Sequence, residues 1–119
     1  MMVDIFTELA ELYSLQRGEM YDLWIELACE IAMMRRHGQT GALAGTALKA
    51  VSKRHGLYFL NADSRMKAAI QPLLDADPAA LAEIGLYPKK LTVCGLAEAA
   101  AELYNAVFQA QRLIDRSGI

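Results

Sequence analysis

A chain of 119 residues, 55% apolar and 22% charged, is long enough to bury one core and too hydrophobic to be a disordered tail. Its formal net charge of −2 lacks the basic excess of a general polyanion binder. No apolar run approaches the ~20 residues that a membrane-spanning helix needs. The cysteines, Cys29 and Cys94, lie far apart without CxxC spacing, as expected of free thiols in a reducing, cytoplasmic setting. The opening Met-Met-Val-Asp lacks the basic start and apolar run of a secretory leader. The apolar fraction is slightly high for a small domain, which predicts exposed apolar surface and hence association with another chain.

The segment from Asp4 to Arg36 is the most informative. Ile5, Leu9, Leu12, Tyr13, Met20, Leu23, Trp24, Leu27, Ile31 and Met34 fall on one face of a helical wheel at ~100° per residue. The stripe keeps its phase across Gly18, which predicts one long helix, bent at most near Arg17-Gly18 and stopped by Gly38. Such a rod would be roughly 50 Å long, against a radius of gyration of about 13–14 Å for a compact domain of this size. Between Glu19 and Arg36 the apolar arc covers about 200°, wider than one packing partner requires. Both features predict a homodimer through this helix, with Leu12, Met20, Tyr21, Leu23, Trp24, Leu27, Ile31 and Met34 at the protein interface.

A second helix is expected from about Ala42 to Arg54, capped by Thr40 and ended by Gly56. Leu57-Tyr58-Phe59-Leu60 has no second strand signal to pair with and reads as a buried connector or helical turn. Asn61 or Asp63 is expected to cap a third helix to about Leu74, bent or shortened by Pro72. Asp77-Pro78 opens a short fourth helix that ends at Gly85, and Tyr87-Pro88-Lys89-Lys90 is a turn. The last helix should run from after Thr92 to about Arg116, stopped by Ser117-Gly118. In it Leu96, Ala100, Leu103, Val107, Ala110 and Ile114 alternate steps of four and three, a heptad seam too short for a free-standing coiled coil. The chain is therefore expected to be all-α: one domain over residues 1–119, a four- to five-helix bundle with long N-terminal and C-terminal helices.

Signals for chemistry are sparse. His37 and His55 each precede a glycine at a helix end, where a cation faces the helix dipole. Neither has a His, Cys or carboxylate at metal-ligand spacing. Gly38-Gln39-Thr40-Gly41 lacks the Gly-Lys-Ser/Thr ending of a phosphate loop. No catalytic residue, cofactor or metal is expected. Glu19, Asp22, Glu26 and Glu30 form a solvated acidic face, while Lys49, Lys53, Arg54, Arg65 and Lys67 make a basic stretch broken only by Asp63.

Two function classes remain. The first is a non-catalytic regulator or adaptor acting through helix-mediated protein–protein interaction, for instance by masking a partner's dimer surface. The alternative is a helix-turn-helix-like DNA-binding regulator contacting nucleic acid through Lys53, Arg54, Arg65 and Lys67, or a helical subunit of a larger nucleoprotein complex. Against the alternative, five residues separate Gly56 from the expected start of the next helix, more than the tight turn of that motif holds.

Overall fold

The computed structural model describes residues 4–116. Among them the fold is all-α, with seven helices and no strand: α1 (Ile5–Leu12), α2 (Glu19–Arg36), α3 (Ala44–Arg54), α4 (Phe59–Ala69), α5 (Gln71–Leu74), α6 (Pro78–Glu83) and α7 (Val93–Arg116). The expected stop at Ser117-Gly118 lies outside the described residues. The long helix α2 packs most extensively against the long C-terminal helix α7, and also against α3 and α4.

The rod expected over residues 4–36 is broken in two, and Gly18 does not make the break. Ser14 ends α1 in the left-handed region at φ 53°. The Leu15 amide donates to the Ala10 carbonyl (2.8 Å) and the Ser14 amide to that of Glu11 (3.4 Å), the paired bonds of a Schellman stop. Leu15 is buried, so the turn is held by packing as well. Gly18 is simply extended, at φ 174°. The same stop ends α2, α3 and α6, where Gly38, Gly56 and Gly85 take the positive φ. Ser14 is the one of the four that pays a side-chain penalty for that conformation.

At its start α1 is capped by Asp4, whose carboxylate accepts from the Phe6 amide (3.1 Å), the Thr7 amide (3.2 Å) and the Thr7 hydroxyl (2.6 Å). The Thr7 hydroxyl bond does most to lower the Asp4 pKa. The turn after Leu12 brings α1 back onto the body. The Tyr21 hydroxyl donates to the Phe6 carbonyl, and the Phe6 ring meets Trp24 edge-on at 6.1 Å.

This geometry overturns the reason given for a partner on α2. Its wide apolar arc does touch neighbours on two sides, but both belong to the same chain. Tyr21, Trp24, Leu27 and Ile31 are fully inaccessible, and Leu23 is buried. A helix at the centre of one globule needs an arc as wide as one shared between two chains. The Trp24 indole donates to the Val93 carbonyl at 3.2 Å, and the Arg36 guanidinium donates to Asn105 Oδ1 at 2.9 Å. Both contacts span 69 residues, so α2 and α7 run parallel in constant register. Beyond Asn105 the last part of α7 continues past the end of α2, roughly 16 Å of helix.

The middle of the chain departs from expectation in detail. α3 starts at Ala44 and has Leu43, not Thr40, at its cap position, without a side-chain bond. α4 starts at Phe59, so Asn61 and Asp63 lie inside it rather than capping it, and half of the Leu57–Leu60 run becomes its first turn. The single helix expected to reach Leu74 is two, parted at Ile70. Pro72 has no amide to continue the ladder of α4, and its ring crowds the carbonyl four residues back, at Ala68. Asp77 caps α6 by accepting from the Ala79 amide (3.0 Å). At the start of α7, Thr92 Oγ1 accepts from the Gly95 amide (2.9 Å).

Candidate functional site

The residues expected at a protein interface separate into two groups. Tyr21, Leu23, Trp24, Leu27 and Ile31 form the centre of the chain's own core, Met20 and Met34 are half-buried against it, and only Leu12, 63% exposed, is open to a partner. From the buried set a row of aromatic rings leads outward. Tyr21 stacks on Trp24 (5.8 Å), Trp24 meets Phe6, Phe6 meets Tyr104 (6.1 Å), and Tyr104 stacks on Phe108 (6.5 Å). Arg17 lies over Tyr21 at one end. At the other, Arg36 and Arg112 both lie over Phe108, at 5.0 and 5.9 Å. Tyr21, deep in this row, is pushed up to about 12 chiefly by burial.

Sequence reasoning placed the open apolar surface on the wrong helix. It lies instead between α1 and α7, as a groove of about 300 Å³ lined by Ile5, Leu9, Leu12, Ile84, Leu103 and Val107, with Glu8 at its edge. The side chains come from three elements. α1 contributes one stripe, Ile84 at the end of α6 closes one wall, and α7 contributes the heptad seam. That seam was legible as a pattern, but burial changes along it. Leu96 and Ala100 are inaccessible, Leu103 and Val107 half-buried, and Ala110 and Ile114 exposed, with Leu113 beside them 67% exposed.

The four residues expected at a nucleic-acid contact do not share one surface environment. Arg54, at the end of α3, bridges two acids of α2, with guanidinium nitrogens 3.3 Å from Glu26 and 2.9 Å from Glu30. The neighbouring His55 ring reaches Glu26 at 2.5 Å. Glu26 and Glu30 are four residues apart, which puts both carboxylates on the helix face that meets α3. Arg65 lines a cleft of about 230 Å³ with Glu19, Asp22, Glu26 and His55 over a floor of Met20, Leu23 and Leu57. Lys53 and Lys67 are exposed. Arg54 and Arg65 are thus turned toward the acidic face of α2, while Lys53 and Lys67 are not. Arg54, His55, Glu26 and Glu30 are all partly solvated, so each pair contributes at most about 1 kcal/mol.

The connection between α3 and α4 is shorter than the sequence suggested. Because α4 opens at Phe59, only residues 55–58 separate the helices, with Gly56 at φ 66°. That length falls within the tight turn of a helix-turn-helix. On α4, Leu60, Asn61, Ser64, Arg65 and Lys67 are exposed, while Ala62 and Met66 face the core.

Both thiols are half-buried and unpaired with each other, and burial pushes both upward, away from the nucleophilic thiolate. Among the described residues no group of three or more His, Cys, Asp or Glu is placed to hold a metal ion, and no helix is long and apolar enough to cross a membrane. Comparison of the chain with protein-family models, with curated proteins and with solved structures found no match.

Proposed function

We propose that this chain is a non-catalytic regulator or adaptor that works by holding another polypeptide against the α1–α7 face. The observation that carries this reading is the groove between Leu12 and Val107, continued by a helix that extends past the rest of the core. Leu12, 63% exposed, stands at its edge. A contiguous apolar face of this kind is the usual mark of a protein contact. A charge at Leu27, by contrast, tests folding, since that side chain is inaccessible within one chain.

The test is site-specific photo-crosslinking in the native cell. A photo-reactive phenylalanine analogue replacing Leu12 should give a discrete protein adduct, and adding Val107→Glu should remove it while the helical circular dichroism and melting temperature hold. No adduct from position 12, or an adduct indifferent to Val107→Glu, would overturn the reading.

A second reading is favoured by the four-residue turn with Gly56 in the left-handed region. In it α4 is a recognition helix presenting Asn61, Ser64 and Arg65 to DNA, with Lys53 and Lys67 on phosphates. The acids Glu19, Asp22 and Glu26 beside Arg65 oppose it, because they repel the same phosphates. A duplex titration at two salt concentrations decides the matter. Phosphate contacts require affinity to fall steeply with salt, and Lys53→Ala with Lys67→Ala should flatten that dependence. Absence of salt-sensitive binding would remove this reading.

A further inference from the structure

The groove between α1 and α7 is lined by side chains of those two helices and of Ile84, the residue that ends α6. Amides and carbonyls within a helix bond one another, so such walls offer no open ladder to extend. A strand laid there would carry its own unpaired backbone groups into an apolar trough. A helix satisfies its backbone internally and presents only side chains, so it is the form of polypeptide that this trough accepts.

Charge narrows the occupant further. On α1 the lining residues Ile5, Leu9 and Leu12 are bordered by Glu8 and Glu11, which lie three residues apart and so on one side of the helix. Both acids are exposed, and neither has an ion-pair partner among the described residues. Arg17, which approaches α1, is turned instead to the Thr7 hydroxyl at 3.2 Å and to the Tyr21 ring. On α7, Ala106 and Ala110 follow Leu103 and Val107 at a spacing of three, and both are exposed and uncharged. Such small side chains let a neighbouring helix come close along that edge. Among the described residues that line the groove and the depression beside it, none is a base.

An apolar trough with acids along one edge is matched by an amphipathic helix that carries Lys or Arg along one flank. We infer that the α1–α7 groove receives such a helix from another protein. Its apolar residues, spaced i, i+3, i+4 and i+7, lie against Leu9, Leu12, Leu103 and Val107, and its basic flank faces Glu8 and Glu11. This rests on the proposed association through that face and names the chemistry of the partner. The apolar floor supplies the affinity, and the acidic rim selects by charge.

The probes are two synthetic helical peptides that share one leucine stripe at that spacing, one flanked by lysines and the other by glutamates. By fluorescence anisotropy, the lysine peptide should bind the full chain about tenfold more tightly than the glutamate peptide, and added salt should narrow the difference. Glu8→Lys with Glu11→Lys should reverse the order. Val107→Glu should weaken both peptides, and circular dichroism confirms that each variant is folded. Equal affinity for the two peptides, no binding of either, or an order that survives the double reversal overturns the inference. In the cell, the segment crosslinked to position 12, identified by mass spectrometry, should carry the same stripe and basic flank. An acidic segment there, or a segment of this chain itself, overturns it. A crosslink to a different protein combined with peptides of equal affinity leaves the adaptor reading standing alone. Absence of any crosslink overturns that reading and, with it, the inference built on it.

Discussion

Leu96 and Ala100, near the start of α7, are inaccessible, whereas Val107 is only half-buried and Leu113 is 67% exposed further along the same helix. The first end lies alongside α2 in parallel register and is closed over by the loop before it; the second continues past α2 altogether. The same apolar period thus marks a core at one end and an open face at the other. Periodicity reports where apolar side chains fall on a helix, and only the surrounding chain decides whether they are covered.

The difference can be measured directly. Leu96→Ala should destabilise by about 2–5 kcal/mol, the range for a leucine cut out of a packed core. Chemical denaturation gives this value, and a loss under about 1 kcal/mol would mean that the two ends of α7 are equally loose.

Alkaline pH should act on the buried end next. Tyr21 has an inaccessible ring and a pKa raised from 10.0 to about 12, chiefly by burial. The folded state therefore favours the neutral phenol. Its contribution is complete below pH ~10 and is lost as pH rises through ~12, up to about 3 kcal/mol at ~1.4 kcal/mol per pKa unit. Tyr21→Phe should lose the hydrogen bond to Phe6 but abolish that part of the alkaline transition.

At the first turn of α7, a Cβ on Gly95 would stand 2.1 Å from the Lys90 carbonyl oxygen. Gly95→Ala should push the Lys89–Thr92 loop off the helix and destabilise by about 1–3 kcal/mol. Thermal melts check it, and an unchanged midpoint would mean that the clamp over the buried end is dispensable.

The smallest effects belong to the open face and its hinge. Ser14→Gly should stabilise by up to about 1 kcal/mol, by relieving the left-handed strain that turns α1 back toward α7. Leu113→Ala should change the stability of the isolated chain by no more than about 0.5 kcal/mol, as for a side chain with little to lose on folding.

Helix content and most stops were legible because they depend on neighbouring residues. The Asp77-Pro78 start, the Gly38, Gly56 and Gly85 stops and the last helix from Thr92 needed no knowledge of distant contacts. The break after Leu12 was not legible. Ser14 is a poor left-handed residue, and its turn is held by the burial of Leu15, a tertiary contact. Missing it turned two short apolar segments into one rod. With the wide apolar arc of Glu19–Arg36, that rod was the ground for an interface on Trp24, Leu27 and Ile31, all of which the chain covers itself. The start of α4 at Phe59 was equally hidden, because Tyr58 offers no capping side chain to announce it.

Residue order alone determined an all-α chain, the apolar face of each long segment and the position of its acidic and basic stretches, since these follow from helical period and local capping. Which faces meet was decided only in three dimensions. The turn at Ser14, the parallel docking of α7 on α2 and the capture of Arg54 by Glu26 and Glu30 all join residues far apart along the chain or depend on such contacts. Burial is a property of the closed packing as a whole, so a side chain's place in a pattern cannot say which neighbour, if any, will keep water from it.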